Sequence, residues 1–246
     1  MTTASIPADP AAQRLAAVRD AMRRAARVTD RSADDIRLIA VSKTHDADAI
    51  RPLIAAGQRV FGENRVQESQ QKWPALREAQ EDIELHLVGQ LQSNKAAEAV
   101  ALFDVIHGLD RPSLLAGLAR AMDGAGRRVP CFIQVNIGAE EQKGGCPIAD
   151  TPALIAAARD ADIPILGLMC VPPADVEPAP FFALLAKMAR EEGLERLSMG
   201  MSGDYETAIM LGATDIRVGT ALFGERPAPA RPVPGSGRGM IRNSGG

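Results

Sequence analysis

The sequence predicts a single (β/α)8 barrel, a TIM barrel, preceded by an N-terminal helix. Eight short β-rich runs alternate with Ala- and Leu-rich helical stretches, a pattern typical of parallel βαβ units. Several runs, such as FIQVN and ILGLMC, are almost wholly apolar, as expected for strands that are covered on both faces. Eight such runs favour a closed barrel. An open doubly wound sheet is the alternative, but the glycine-rich turn expected after its first strand is absent here.

The elements follow from local spacing. Leu15, Val18 and Met22 recur at helical intervals among arginines, which predicts an amphipathic helix over residues 9–28. The predicted strands lie at about 36–42, 59–62, 84–89, 104–108, 129–136, 163–170, 196–201 and 215–218. The predicted helices lie at about 47–56, 64–80, 94–101, 111–123, 151–160, 178–192 and 204–211. We assign residues 1–226 to the barrel and expect the Pro/Gly-rich segment 227–246 to be a disordered tail.

Composition excludes several function classes. A net charge of −3 provides no basic field that would attract nucleic acid or an anionic membrane. With 3% aromatic residues, the chain also has few side chains on which nucleic-acid bases could stack. No apolar run is long enough to span a membrane, and the first residues lack a signal-peptide core. Cys131, Cys146 and Cys170 are widely spaced and are interpreted as buried, reduced thiols of a cytoplasmic protein.

The first strand delivers a lone lysine. Residues 36–43, IRLIAVSK, form an apolar run that ends in Lys43. Functional groups of such barrels collect at the carboxyl ends of the strands, and an amine desolvated there is suited to Schiff-base chemistry with a carbonyl. A surface lysine just past a strand is the alternative interpretation of this stretch.

The ends of the seventh and eighth strands predict an anion site. Ser202 and Asp204 precede a helix, and Gly219-Thr220 combines a permissive backbone with a hydroxyl donor. Loops after these two strands recurrently bind phosphate in this fold. The alternative is that Ser202 and Asp204 only cap the helix.

Arg217 lies inside the otherwise apolar eighth strand, where an arginine needs a partner. A salt bridge to Glu63 or Asp215 is one interpretation. A hydrogen bond to a heteroaromatic nitrogen of a ligand is the other. Together with Lys43 and the phosphate site, the second interpretation describes a pocket for pyridoxal 5′-phosphate (PLP).

Six segments resemble the pyridoxal phosphate homeostasis proteins, the YggS/PROSC family. They are IAVSKTH, VFGENRVQE, HLVGQLQSNK, GLMCVPP, LSMGMSGDYETAI and IRVGTALFG, spread in order from about Arg37 to Gly224. The resemblance implies a monomeric PLP-binding barrel similar to the first domain of alanine racemase. It assigns the Schiff base to Lys43, the pyridine nitrogen to Arg217, the phosphate to Ser202, Gly219 and Thr220, and part of the pocket wall to Asn64.

Two positions qualify the resemblance. Some members carry a lysine where this chain has His45, and Lys143 matches a family lysine for which a solvated charge is favoured over a regulatory role. His86 and His107 are predicted to satisfy hydrogen bonds inside the barrel. No metal site is predicted, because the histidines lie apart without suitably spaced carboxylates. Met169, Met199 and Met201 are predicted to pack the barrel.

The expected function is to hold PLP as a Schiff base and take part in its intracellular homeostasis, without efficient catalysis. A PLP-dependent amino-acid racemase is the alternative. Racemisation needs acid–base groups on both faces of the substrate carbanion, whereas Tyr205 is the only tyrosine and only the expected tail follows the barrel. A phosphate-binding enzyme that does not use PLP is a third interpretation. Apo PLP-dependent enzymes are candidate recipients, which the sequence does not identify.

Overall fold

The computed structural model describes residues 9–224. Eight parallel strands close into a barrel in the order β1 to β8. They are β1 Arg37–Val41, β2 Val60–Glu63, β3 Glu84–Leu87, β4 Val105–Leu109, β5 Cys131–Val135, β6 Ile165–Cys170, β7 Arg196–Ser198 and β8 Asp215–Val218. The β1–β8 pairing closes the sheet, so the predicted TIM barrel is confirmed and the open sheet is excluded. The boundary at 226 and the expected tail 227–246 lie outside the described residues.

Helices cover the outside of the barrel. They are α1 Pro10–Val28, α2 Ala47–Ala55, α3 Val66–Ala79, α4 Ala96–Leu102, α5 Pro112–Ala125, α6 Thr151–Asp160, α7 Ala179–Glu191, α8 Tyr205–Met210 and α9 Thr220–Phe223. Every predicted helix is present. The sequence prediction missed α9 and three 3-10 turns at Ala33–Asp35, Ser93–Lys95 and Ile148–Asp150. Elements of three or four residues are too short to show a periodicity.

The N-terminal helix is confirmed, and it packs on the outside of the barrel against α8 and α9. Its apolar face, including Leu15, Val18 and Met22, is buried. Arg31, just beyond the helix, donates hydrogen bonds to the carbonyls of Ile209 and Ala213 at 3.0 and 2.9 Å. These contacts fix the helix over the part of the barrel where β8 meets β1.

The seventh strand is shorter than predicted. It ends at Ser198 rather than at residue 201, and the backbone turns at Gly200, whose carbonyl still accepts from the amide of Arg217 at 2.9 Å. This glycine has a φ of +91°, and a Cβ there would lie 2.6 Å from the Cβ of Ala208. The turn requires glycine, and it directs the following residues over the carboxyl end of the barrel.

Alternating residues separate two environments. On β5, Cys131, Ile133 and Val135 belong to the core between sheet and helices, whereas Phe132 packs inside the barrel with Val105 and Met169. The interior also buries polar residues of other strands: His86, His107, Ser198 and Arg217. Polar groups are costly to bury without partners, and these four side chains hydrogen bond to one another inside the barrel.

The cysteines and the helices can be compared with what the composition predicts. All three cysteines are buried and free, as predicted. Burial raises the pKa of Cys131 and of Cys170 to about 12, so these thiols remain protonated. Within residues 9–224, no helix combines the length and apolar character needed to cross a membrane.

Candidate functional site

Lys43 lies two residues past β1, in a tight turn. The amide of His45 donates to the carbonyl of Ser42 at 3.1 Å, and Thr44 adopts a φ of +67°, which is unusual for a β-branched residue. Lys43 itself is half-buried and has no hydrogen bond or ion pair among the described residues. The turn is therefore held by its neighbours while the lysine amine is left available.

Lys72 of α3 is hydrogen bonded to the backbone of this turn. Its Nζ donates to the carbonyls of Ser42 and His45, at 2.9 Å each, and lies 2.8 Å from Oε1 of Glu63. Glu68 accepts a hydrogen bond from Lys72 at 2.9 Å and another from the amide of Thr44 at 2.7 Å. Three of these contacts, at Ser42, Thr44 and His45, fix the backbone on both sides of Lys43.

Glu63 is the buried centre of this network. Its Oε1 also accepts hydrogen bonds from the Ser42 hydroxyl at 2.5 Å and from Trp73 Nε1 at 3.0 Å. Burial raises the pKa of Glu63, and the hydrogen bonds from Lys72 and Ser42 act in the opposite direction. The carboxylate consequently depends on Lys72 for its charge compensation.

The loops after β7 and β8 meet at the carboxyl end of the barrel, and the anion site expected there stays a prediction. The Ser202 hydroxyl oxygen accepts from the amides of Gly219 and Ala221 at 3.3 and 3.5 Å. Thr220 begins α9 and is exposed. Ser202 does not cap α8, and Asp204 accepts from the amide of Met201 at 2.5 Å. Backbone N–H groups and hydroxyl groups therefore converge at one place at the carboxyl end of the barrel.

The lysine turn adjoins these loops. The rings of His45 and Phe223 stack with centroids 4.4 Å apart and an interplanar angle of 14°. Gly219 lies so close to β1 that a Cβ there would be 3.3 Å from the carbonyl oxygen of Val41. The structure thus brings Lys43 together with the Ser202 and Gly219 loops, as the sequence predicted.

Arg217 is buried in the barrel beside these loops and uses neither of the salt-bridge partners considered from sequence. Asp215 pairs with Arg196, and Glu63 pairs with Lys72. The guanidinium of Arg217 donates to the Ser198 hydroxyl at 2.6 Å and to the carbonyl of Cys170 at 2.8 Å. Burial lowers its pKa. Within the described residues it is a buried cation without a carboxylate partner.

Asn64 follows β2 and borders a cleft of about 470 Å³ that Arg65 and Lys95 also line. A Cβ on Gly89 would lie 2.4 Å from the carbonyl oxygen of Asn64, so this glycine lets the two loops touch. The cleft opens at the same end of the barrel as Lys43. The predicted role of Asn64 in lining the pocket stays a prediction.

Lys143 is paired rather than solvated. Its Nζ lies 2.6 Å from Oε2 of Glu140 and donates to the carbonyl of Pro172 at 3.1 Å. These contacts join the loops after β5 and β6. The favoured interpretation of a solvated charge is therefore corrected, because the lysine closes a loop contact.

The histidine prediction is confirmed. His86 and His107 are buried and hydrogen bonded, with 2.9 Å between His86 Nδ1 and His107 Nε2. Met169 and Met199 are buried as predicted, but Met201 is exposed, since it lies beyond the shortened β7. Sequence reasoning missed Lys72 and Ser198 as partners of the site. Among residues 9–224, no group of three or more His, Cys, Asp and Glu side chains is arranged to hold a metal ion.

His107 makes stability depend on pH. Burial lowers its pKa well below 6.5, and the nearby charge of Arg217 lowers it further. Below about pH 6.5 the unfolded chain therefore binds a proton that the folded chain does not bind, so acid favours unfolding. We expect this residue to remove about 1.4 kcal/mol of unfolding free energy per pH unit below that point.

Denaturant unfolding of the wild type and of His107→Gln between pH 7.5 and 5 measures this contribution. Glu63 and the other acidic groups are present in both proteins, so their titration cancels in the difference. The wild type should lose stability more steeply than the variant as the pH falls. Parallel pH profiles would contradict the assignment to His107.

Comparison with known proteins identifies the family. A family model described as "Alanine racemase, N-terminal domain" matches residues 14–227. The pyridoxal phosphate homeostasis protein of Pseudomonas aeruginosa is 38% identical over 227 residues, covering 89% of this chain and 98% of the relative. That of Escherichia coli K12 is 40% identical over 230 residues, covering 87% and 96%. The chain belongs to the pyridoxal phosphate homeostasis protein family.

Solved structures agree with this family assignment. PipY of Synechococcus elongatus with PLP bound is 40% identical, with a TM-score of 0.77, and the match covers 87% of this chain and all of PipY. D-threonine aldolase of Filomicrobium marinum shares the fold at 18% identity, with a TM-score of 0.68 and coverage of 87% and 60% of the two chains. The likeness to PipY extends to the sequence, whereas the likeness to the aldolase concerns the fold alone.

Proposed function

We propose that this chain binds PLP at the carboxyl ends of its strands, as a Schiff base with Lys43, and takes part in PLP homeostasis without efficient catalysis of its own. The observation that carries the proposal is the convergence of three unlike groups at this end of the barrel. They are an amine without a partner at Lys43, hydroxyl and amide donors around Ser202 and Gly219, and a buried guanidinium without a carboxylate at Arg217.

Each group fits one part of PLP. The aldehyde of PLP condenses with an amine, and its ring withdraws electrons from bonds at the resulting imine. Lys43 supplies the amine, and Ser202, Gly219 and Thr220 supply donors for the phosphate. Arg217 supplies an N–H donor that leaves the ring nitrogen unprotonated, and Asn64 borders the pocket. The PLP-bound PipY structure and the names of the curated relatives support PLP as the ligand.

Titration of the purified chain with PLP tests the proposal. Binding should produce an imine absorption band at the edge of the visible range, and borohydride reduction should attach the cofactor to the peptide that contains Lys43. Mass spectrometry identifies the labelled residue. A label on Lys95 or Lys143, or the absence of a band, would refute the proposal.

We expect the phosphate to supply much of the affinity. Hydroxyl and amide groups converge near Ser202 and Gly219, and a charge-assisted hydrogen bond from one such donor to a phosphate contributes about 1.5–3 kcal/mol. Pyridoxal, which lacks the phosphate, should therefore bind at least about tenfold more weakly than PLP. Competition titrations of the two aldehydes give this ratio, and equal affinities would rule out the phosphate site.

We further infer that the chain acts in the cytoplasm as a monomer and supplies PLP to apo forms of PLP-dependent enzymes. Its free, buried thiols suit a reducing compartment. Transfer is measured by mixing the loaded chain with an apo-enzyme and following recovery of that enzyme's activity. Sedimentation of the loaded chain measures the oligomeric state.

Racemase activity should be weak. A second base is needed on the face of the cofactor away from Lys43. Tyr205, the chain's only tyrosine, is buried at the start of α8, and burial raises its pKa. Arg217 at the ring nitrogen would also weaken the electron sink. We expect turnover of L- and D-amino acids far below the enzyme median of about 10 s⁻¹, and turnover near that value in an amino-acid panel would overturn this expectation.

A further inference from the structure

A hydrogen-bonded chain of buried side chains runs through the barrel behind Arg217. Ser198 accepts from Arg217 at 2.6 Å, and its Oγ lies 2.8 Å from Nδ1 of His107. Nε2 of His107 lies 2.9 Å from Nδ1 of His86, and Nε2 of His86 lies 2.8 Å from Oε1 of Glu84. The chain therefore links β8, β7, β4 and β3 across the barrel interior.

The far end of the chain reaches the opposite mouth of the barrel. Glu84 begins β3, is half-buried, and pairs with Arg37. Both residues line a cleft of about 650 Å³ at the amino ends of the strands, together with Arg196 and Glu195. The hydrogen bond from His86 lowers the pKa of Glu84, and the charge of Arg37 also lowers it. The chain thus ends in a carboxylate that is partly accessible to solvent.

Only one direction of donation satisfies every member with both imidazoles neutral. The carboxylate of Glu84 can only accept, so a singly protonated His86 carries its proton on Nε2 and accepts at Nδ1 from Nε2 of His107. Nδ1 of His107 then accepts from the Ser198 hydroxyl, whose oxygen receives the N–H of Arg217. Burial of His107 among the cations Arg217, Arg196 and Arg37 keeps that ring neutral. Every dipole of the chain is aligned from the cation to the carboxylate.

Packing fixes the middle of the chain. The His107 ring stacks on Phe132, with centroids 4.4 Å apart and an interplanar angle of 26°. The guanidinium of Arg196 lies over the ring of Phe132, 5.2 Å from its centroid. Arg196 is itself paired with Asp215. The imidazole therefore has little freedom to turn away from Ser198. Aligned hydrogen bonds in a buried setting polarise one another.

We propose that Ser198, His107, His86 and Glu84 are positioning residues for Arg217, holding its guanidinium in the orientation in which it meets the ring nitrogen of the cofactor. This inference rests on the proposed function, because the ring nitrogen is present only when PLP is bound. Two of the five N–H donors of Arg217 are engaged by Ser198 and Cys170. The chain thereby determines which donors remain for the ligand.

The test compares PLP with 1-deaza-PLP, in which a CH group replaces the ring nitrogen. The ratio of the two dissociation constants isolates the contact at that nitrogen from the phosphate and imine contacts. The wild type should prefer PLP by about tenfold or more, the value of one charge-assisted hydrogen bond. Ser198→Ala, His107→Gln and Glu84→Gln should each reduce this preference by at least about threefold, with a smaller change in the affinity for the deaza analogue.

Thr151→Val is the matched control. Thr151 is also buried, and its hydroxyl donates to the carbonyl of Pro147 at 3.0 Å, outside the chain. This variant should keep the wild-type ratio. Glu84 is half-buried, and Glu84→Gln keeps its shape and one oxygen acceptor. This variant is therefore expected to fold, and it provides the test if Ser198→Ala or His107→Gln does not. Variants of the chain that retain the wild-type ratio, or a wild type without preference for PLP, would overturn the proposal.

A second measurement needs no cofactor. The nitrogen chemical shifts of the PLP-free chain should show His107 neutral and protonated on Nε2. A proton on Nδ1 of His107 would break the direction of donation and overturn the proposal. Absence of a Lys43 adduct in the wild type would instead refute the proposed function, so the two failures are distinguishable.

Discussion

Lys43→Ala should lose the imine absorption band of the PLP complex entirely and give no borohydride-trapped adduct. The expectation follows from the surroundings of the amine. Lys43 is half-buried and has no polar partner within the described residues, whereas Lys72 is occupied by two carbonyls and two carboxylates. Lys43 is therefore an amine beside the Ser202 and Gly219 loops that is free to react.

The same variant should keep the fold and the non-covalent part of the site. Lys43 makes no hydrogen bond that its removal would leave unsatisfied, so we expect a stability change within about 0.5 kcal/mol. PLP should still bind reversibly through the Ser202 and Gly219 loops. Added methylamine should restore an imine band, because the small amine replaces the missing side chain.

Two other lysines serve as controls for Lys43. Lys95 borders the neighbouring cleft and pairs with Glu98, and Lys143 pairs with Glu140. Lys95→Ala and Lys143→Ala should retain the wild-type band and the borohydride adduct. An unchanged band in Lys43→Ala, or loss of the band in either control, would contradict the assignment.

The proximity of Lys43, Ser202 and Gly219 could be predicted from sequence, because each of these residues follows or ends a predicted strand. Alternation of strands and helices defines a barrel, and a barrel gathers its strand ends on one face. Polar residues that directly follow apolar runs must then be neighbours, whatever their separation in sequence. The stacking of His45 on Phe223 shows that this neighbourhood exists between the first and last loops.

Lys72 and Ser198 could not be found by the same reasoning. Lys72 lies in the middle of a polar helix, where its spacing is that of a solvated surface residue, yet it is buried against Glu63. Ser198 contacts His107 across 91 positions of sequence. Such contacts depend on which side chains face inward on separate strands, and a difference of one residue in register reverses that choice.

The largest loss of stability is expected from Lys72→Met. Removal of the ammonium leaves Glu63 fully buried, with no cation to compensate its charge. Breaking one partner of a buried ion pair costs about 3–5 kcal/mol. The carbonyls of Ser42 and His45 also lose their donor, so the turn that presents Lys43 loses its support. Denaturant unfolding measures the stability, and the rate of imine formation with PLP measures the effect on the turn.

A double variant separates charge burial from turn support. In Glu63→Gln/Lys72→Met no charge is left buried, so most of the lost stability should return. The rate of imine formation should stay low, because the carbonyls on either side of Lys43 still lack the ammonium of Lys72. Lys187→Met is the control, since the exposed pair of Lys187 with Glu191 spans 3.7 Å and contributes at most about 0.5 kcal/mol. Equal stability losses in Lys72→Met and Lys187→Met would show that the Glu63 network does not support the lysine turn.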